Sequence, residues 1–234
     1  MPEGSWWGRL IGVLVNPCKT FYEWPEKAPF WPPALSLLGF NLLLSLIVLP
    51  KARAAALLAL EQSPVPIAAP QLAMAKTMIN YGVPIMTILV ALAMPLIIWM
   101  LEAWVISLAG RAFGLQATYG DLLPVTVAAW VPTLLGGLIY KVLILALPME
   151  SMKQIQLNLA ALLPPATHPG LVYLLLEKID PFTIWNFILL GLGTAAAARV
   201  EQRRGLLVAL VVWLVYVALS VPLGMVGAAF STAA

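Results

Sequence analysis

The chain has 234 residues, of which 62% are hydrophobic and 10% charged, and its mean hydropathy is +0.95. Soluble domains carry about 25% charged and 45–50% apolar residues, so this composition excludes an ordinary water-soluble domain. The net charge of +3 is the excess of thirteen Lys and Arg over ten Asp and Glu, and the cations are scattered among connecting segments with no basic stripe, which excludes nucleic acid as a partner and points to membrane topology.

The stretch Leu10–Val15 is too short for a signal-peptide core and no small-residue cleavage site follows it, so the first residues are read as part of the protein. Trp6, Leu10, Val13 and Leu14 share one helical face and Ser5, Arg9, Gly12, Asn16 and Lys19 the other, a division that suits an interfacial helix. Pro17 should end or kink it. The whole segment 5–30 is rich in rings, from Trp6 and Trp7 to Phe30, as expected at headgroup depth. The single cysteine, Cys18, excludes an internal disulfide and offers no metal-ligand spacing.

A hydrocarbon core about 30 Å thick takes roughly 20 apolar residues in a helix. Five runs meet this, at about 31–49, 82–109, 122–147, 181–198 and 205–230. The first is expected to end at Pro50, Lys51 and Arg53. The connections 110–121 and 199–204 are short, whereas 50–81 and 148–180 are long. In the second long connection, Met149–Leu163 and Leu171–Ile179 are amphipathic or apolar but too short to cross, so each is expected along the membrane surface. The expected fold is therefore all-α: one polytopic transmembrane bundle over residues 1–234, with five spans, an N-terminal interfacial helix and short exterior helices.

Five spans put the termini on opposite sides. Arg9, Lys19, Lys27, Arg111, Arg199, Arg203 and Arg204 would share the N-terminal side, against Lys51, Arg53, Lys76, Lys153 and Lys178, which favours a cytoplasmic N-terminus and an exterior C-terminus.

Glu102 and Lys141 are ionisable residues inside spans, which makes them functional candidates by default, because a charge there costs several kcal/mol unless paired or hydrated. Their depths place them at opposite ends of antiparallel helices. Lys141 is expected to extend outward and Glu102 to meet Arg111 or the basic turn 199–204. Asn41, Ser45, Thr87, Thr126, Thr133 and Asn186 are available to tie helices together. Gly191 with Ala195, and Gly136 with Gly137, permit close helix approach, read first as packing within the chain. Asp180-Pro181 is a helix cap followed by the proline that suits a first helical position, and Trp185 one turn later suits an interfacial anchor. His168, the one histidine, is read as a loop residue. No nucleophile elbow, zinc-binding His pair or phosphate loop is present, so no cofactor is expected and an enzyme is disfavoured.

Three stretches together resemble the Yip1 superfamily of five-span membrane proteins. They are Asn16-Pro17 through Trp31-Pro32-Pro33; Thr118-Tyr119-Gly120 through Trp130-Val131-Pro132, with Pro132 inside span three; and Lys178 through Trp185 with Leu190-Gly191-Leu192-Gly193. Eukaryotic relatives, linked to membrane traffic and small GTPases, carry a long N-terminal region and an Asp-Leu-Tyr-Gly-Pro motif, and this sequence has neither. It is more similar to the prokaryotic type, some members of which are implicated as membrane partners of export machinery, and the resemblance then implies a bacterial inner-membrane location. The expected function is a non-enzymatic adaptor or accessory factor that binds other membrane components, a protein partner or a second copy besides the bilayer. The alternative is a transporter, channel or lipid-translocating protein using Glu102 and Lys141. A lipid enzyme would need Asp180, Glu177 and His168 to converge.

Overall fold

A computed structural model describes residues 5–24, 28–63, 68–164 and 170–233. Among them every regular element is a helix: α1 (Trp6–Val15), α2 (Pro17–Tyr22), α3 (Trp31–Glu61), α4 (Ala69–Thr77), α5 (Val83–Ala112), α6 (Tyr119–Ala129), α7 (Val131–Ala146), α8 (Leu171–Glu177), α9 (Pro181–Ala197) and α10 (Gln202–Ala233). A wide π turn, Met78–Gly82, joins α4 to α5, and tight 3₁₀ turns occupy Met149–Gln154 and Leu159–Leu162. Segment 149–163, expected along the membrane surface, is thus built of two short 3₁₀ turns.

Four stretches are long and apolar enough to cross a membrane: Trp31–Glu61, Ala69–Ala112, Tyr119–Ala146 and Gln202–Met225. α8 and α9 qualify only together, bent by 57°. The bend has a local cause. Asp180 is extended (φ −120°, ψ 149°), as residues before proline tend to be, and its carboxylate accepts from the amides of Phe182 at 2.9 Å and Thr183 at 3.0 Å, opening a new helix with Pro181 at its first position. Asp180→Ala is expected to cost about 1 kcal/mol of stability, measured by denaturant titration in mixed micelles.

Helix α3 does not stop at Pro50. A proline inside a helix removes one amide donor and crowds the preceding turn, but the following residues, Ala52 and Ala54 through Leu60, are strong helix formers and carry the helix to Glu61. Span three does break, at Trp130 between α6 and α7, and the buried Pro132 is the second residue of α7.

The chain forms two compact units. One comprises Met1–Ala34, Trp99–Gly136 and Gln156–Ala234, and the other Leu35–Ile98 and Gly137–Ile155. In the first unit α9 is the central element: Leu189, Leu190 and Ala195 are buried, as are Leu122, Val125 and Val127 on α6 and Val208 and Ala209 on α10. The α9–α10 contact depends on glycine. A Cβ at Gly191 would sit 2.8 Å from the Leu206 Cα, and one at Gly205 would strike the Gly191 carbonyl and the Ala195 amide. Gly136 likewise admits the Phe182 ring, whereas Gly137 faces open space. α1 buries Leu10 and Val13 inside this unit, and Phe21 of α2 is buried with them, so the apolar face of α1 is largely covered by protein.

In the second unit, polar groups join helices. Asn41 Nδ2 donates to the Ala91 carbonyl at 3.0 Å, tying α3 to α5, and Lys51 Nζ donates to the carbonyls of Leu145 and Leu147, capping α7. Arg53 donates to Asn80 Oδ1 at 2.8 Å. Ser45 and Thr87 bond to carbonyls four residues back in their own helices and join nothing. Leu43, Ile47, Ile85, Leu89, Met100, Trp104, Leu210 and Leu214 stay exposed, a surface that would aggregate in water and that lipid solvates.

Candidate functional site

Three places hold chemistry: a polar pair inside the first unit, a polar chain inside the second, and a cavity at one end of the first.

Glu102 lies on the buried stripe of α5 formed by Trp99, Ala103 and Ile106. The polar side chain that acts on its carboxyl is Asn186 on α9, and not Arg111 or the basic turn. Depth explains the choice. Glu102 is ten residues before Ala112 at the end of α5, and Asn186 eleven before Ala197 at the end of α9, so both lie about 15 Å from those ends at 1.5 Å per residue. Arg111, nine residues on, is out of reach. Asn186 is 5% exposed, and two oxygens of the pair, Glu102 Oε2 and Asn186 Oδ1, are buried without a hydrogen-bond partner.

Above this pair, Trp99 is fully buried and meets Phe30 and Trp130 edge-to-face, at 6.5 and 5.4 Å between ring centroids. The Thr126 hydroxyl lies 3.2 Å from the Trp99 carbonyl and ties α6 to α5. Thr133 Oγ1 is buried and bonds to nothing.

Lys141, half-buried on α7, is bonded within the second unit. Its Nζ donates to Asn41 Oδ1 at 3.1 Å, completing a chain from Lys141 through Asn41 to the Ala91 carbonyl. Trp185 is half-buried one turn into α9. Asp180 is occupied as a cap, Glu177 pairs with Lys178 at 3.4 Å, and His168 lies outside the described residues. Among the described residues no three His, Cys, Asp or Glu side chains are grouped to hold a metal. Cys18 is an exposed free thiol.

The cavity, about 1260 Å³, is built where α2 ends, α6 begins and α9 ends. Phe21, Tyr22 and Trp24 supply an aromatic wall, Gly120 to Val125 the first turns of α6, and Gly193 and Ala195 to Ala198 a small-residue floor, with Gln116 and Arg199 at its margin. Gly193 is needed for this shape, because a Cβ there would collide with Val125 and approach Phe21 to 3.0 Å. Its carboxylate, Asp121, is already engaged: Oδ2 accepts from the Thr118 amide at 2.9 Å and the Thr118 hydroxyl at 2.6 Å, closing a capping box on α6. Arg9 stands over the Trp24 ring at 6.0 Å.

Arg199 is the strained residue of the site. α5 and α9 both end in a motif whose last turn is closed by a six-to-one amide bond, Leu115 to the Gly110 carbonyl at 2.8 Å and Val200 to the Ala195 carbonyl at 3.0 Å. That closure needs a left-handed residue. In α5 it is Gly114 (φ 74°), but in α9 it is Arg199 (φ 53°), where a side chain costs about 1–2 kcal/mol. Arg199→Gly is therefore expected to be about 1 kcal/mol more stable than Arg199→Ala, the comparison that cancels loss of the guanidinium, read by the same micelle titration.

The sequence singled out Glu102, Lys141, Asp180, Pro132 and Trp185, and they do not come together: Glu102 belongs to the pair with Asn186, Lys141 to the chain through Asn41, and Asp180 to the head of α9. The cavity residues Tyr22, Trp24, Asp121 and Arg199 lie outside that set. Tyr22, Trp24 and Asp121 fall within the motif stretches, which carry their signal, whereas Arg199 lies beyond them in the basic turn.

Apolar crossing helices with polar groups bonded inside them define a multi-pass α-helical membrane protein. Within that class, the family model of the Yip1 domain matches residues 11–223, and the chain belongs to the Yip1 family. Comparison with curated proteins and with solved structures gives no match.

Proposed function

We propose that this protein acts by binding other components of its membrane, as an adaptor or accessory factor without covalent chemistry of its own. The observation that carries the reading is the character of the cavity. It offers rings, methyl groups and a cation, and its carboxylate is committed to holding a helix. Such a lining suits recognition and supplies neither nucleophile nor paired acid and base. The charge bias supports a cytoplasmic side for the N-terminus and this end of the first unit, and the reading takes a bacterial inner membrane as the setting and an export assembly as one partner to test.

The test is affinity purification from native membranes at native abundance, in mild detergent, with mass spectrometry of retained proteins and lipids. A reproducible partner, lost when Tyr22→Ala and Trp24→Ala alter the wall, is expected. Recovery of the bare monomer, without protein or lipid, would defeat the proposal.

A second reading, transport, is favoured by Glu102 Oε2, a buried oxygen without a partner at mid-span depth. If a proton or solute passes there, Glu102→Gln abolishes flux in proteoliposomes while leaving the fold intact. Unchanged flux, or none in the parent protein, sets that reading aside.

A further inference from the structure

The cavity invites a narrower assignment, which deepens the binding role proposed above and rests on it. We propose that it is a site for the phosphate-bearing headgroup of an anionic phospholipid.

The first argument is position. The cavity opens where α5 and α9 end and α6 begins, at the ends of crossing helices, so its mouth lies at the membrane boundary, where headgroups are the most concentrated solute. Tyr22, 87% exposed, and Trp24 are the ring types that settle at that depth.

The second argument is charge. Among the described residues, the elements that build this end carry six cations, Arg9, Lys19, Arg111, Arg199, Arg203 and Arg204, against three carboxylates, Glu23, Asp121 and Glu201. Glu23 pairs with Lys19 at 3.9 Å and Asp121 is held in its capping box, and the cations exceed the carboxylates by three, a positive balance that faces a surface rich in phosphate. Arginine matches phosphate with its planar fork of donors.

The third argument is shape. The volume exceeds the roughly 300–1,000 Å³ of a typical small-molecule pocket and its floor is glycine and alanine, so a headgroup with its glycerol fits without displacing a side chain. Arg199 reaches the margin only through a strained backbone. A glycine there would close α9 at no such cost, but would leave the margin without its guanidinium.

The experiment reconstitutes the full chain into vesicles of equimolar phosphatidylcholine and phosphatidylglycerol, extracts it gently and weighs the retained lipid by native mass spectrometry. Phosphatidylglycerol should be enriched roughly tenfold, the size of one good charge-assisted contact. Arg199→Gly and Arg199→Ala should both bring the ratio near one although they differ in stability, which a merely structural role does not produce. Arg9→Gln should lower the ratio partway, and Lys51→Gln, in the other unit, should leave it unchanged. The proposal is overturned if the retained lipid has the composition of the vesicle, or if both Arg199 variants keep the enrichment. It is also overturned if inorganic phosphate in pure phosphatidylcholine vesicles stabilises the protein as much as phosphatidylglycerol does. Loss of lipid selectivity with a protein partner still retained removes the headgroup site and leaves the binding role. Selectivity with no protein partner removes the adaptor role alone.

Discussion

Replacing Gly205 by alanine is expected to destabilise the fold by about 2–3 kcal/mol, while the same change at Gly137 is neutral or stabilising by up to about 1 kcal/mol. Both are helical glycines in crossing segments, and composition does not distinguish them. What differs is the neighbour. The added methyl at position 205 meets the Gly191 carbonyl and the Ala195 backbone amide, which cannot swing aside as a side chain does, so α9 and α10 must separate. At position 137 it meets nothing within 4 Å and only relieves the flexibility of glycine. In lipid this matters more than in water, because helices gain nothing by hiding apolar surface from equally apolar tails and associate through close packing. Unfolding of the two variants by SDS in mixed micelles reads the difference. Equal effects at both positions would contradict the α9–α10 packing described.

The number and order of the crossing segments were legible because hydropathy reports directly on the solvent: residues 31–49 and 82–109 sit inside observed crossing stretches, and 122–147 overruns its own by one residue. Helix ends were less legible. Pro50, Lys51 and Arg53 mark where an apolar run stops, which is not where a helix stops, since the alanines and leucines that follow keep their amide bonds outside hydrocarbon as well. The fourth span was underdetermined for the opposite reason. Its 17 residues meet the length only with α8, and the 57° bend between them comes from the Asp180-Pro181 step, which the sequence displayed as a cap without displaying an angle.

At the level of sites, the motif residues Phe21 to Trp24, Gly120 with Asp121, and Gly193 meet at one cavity, as alternating topology allows: the N-terminal segment and the turns after α5 and α9 fall on one side. That they enclose a volume follows from the bend of the chain at Pro17 and from Gly193, whose missing side chain leaves room for Val125 and Phe21. Neither is a periodicity. The partner of Glu102 is not legible from charge pattern, which points only to opposite charges. The fold instead used a neutral amide at matched depth on a neighbouring helix, where a side chain with both donor and acceptor serves either end of a carboxyl group.

That pairing leads to the second large effect. Asn186→Leu is expected to cost about 2–3 kcal/mol, because it leaves the whole Glu102 carboxyl buried with no donor, and Glu102→Leu about 1–2 kcal/mol, because a neutral amide is easier to leave unpaired. The double variant Glu102→Leu with Asn186→Leu should fall well short of the sum, with a coupling of about 1–2 kcal/mol, near the upper end for hydrogen bonds between membrane helices. The cycle decides what the pair is for. A coupling of that size with function intact means that the two residues tie α5 to α9 and that an apolar pair can take over part of that role. If the double variant is stable and yet loses the activity or partner binding of the parent, the polar pair does more than hold helices together, and the oxygens left without donors, Glu102 Oε2 and Asn186 Oδ1, are the atoms on which that further role must act.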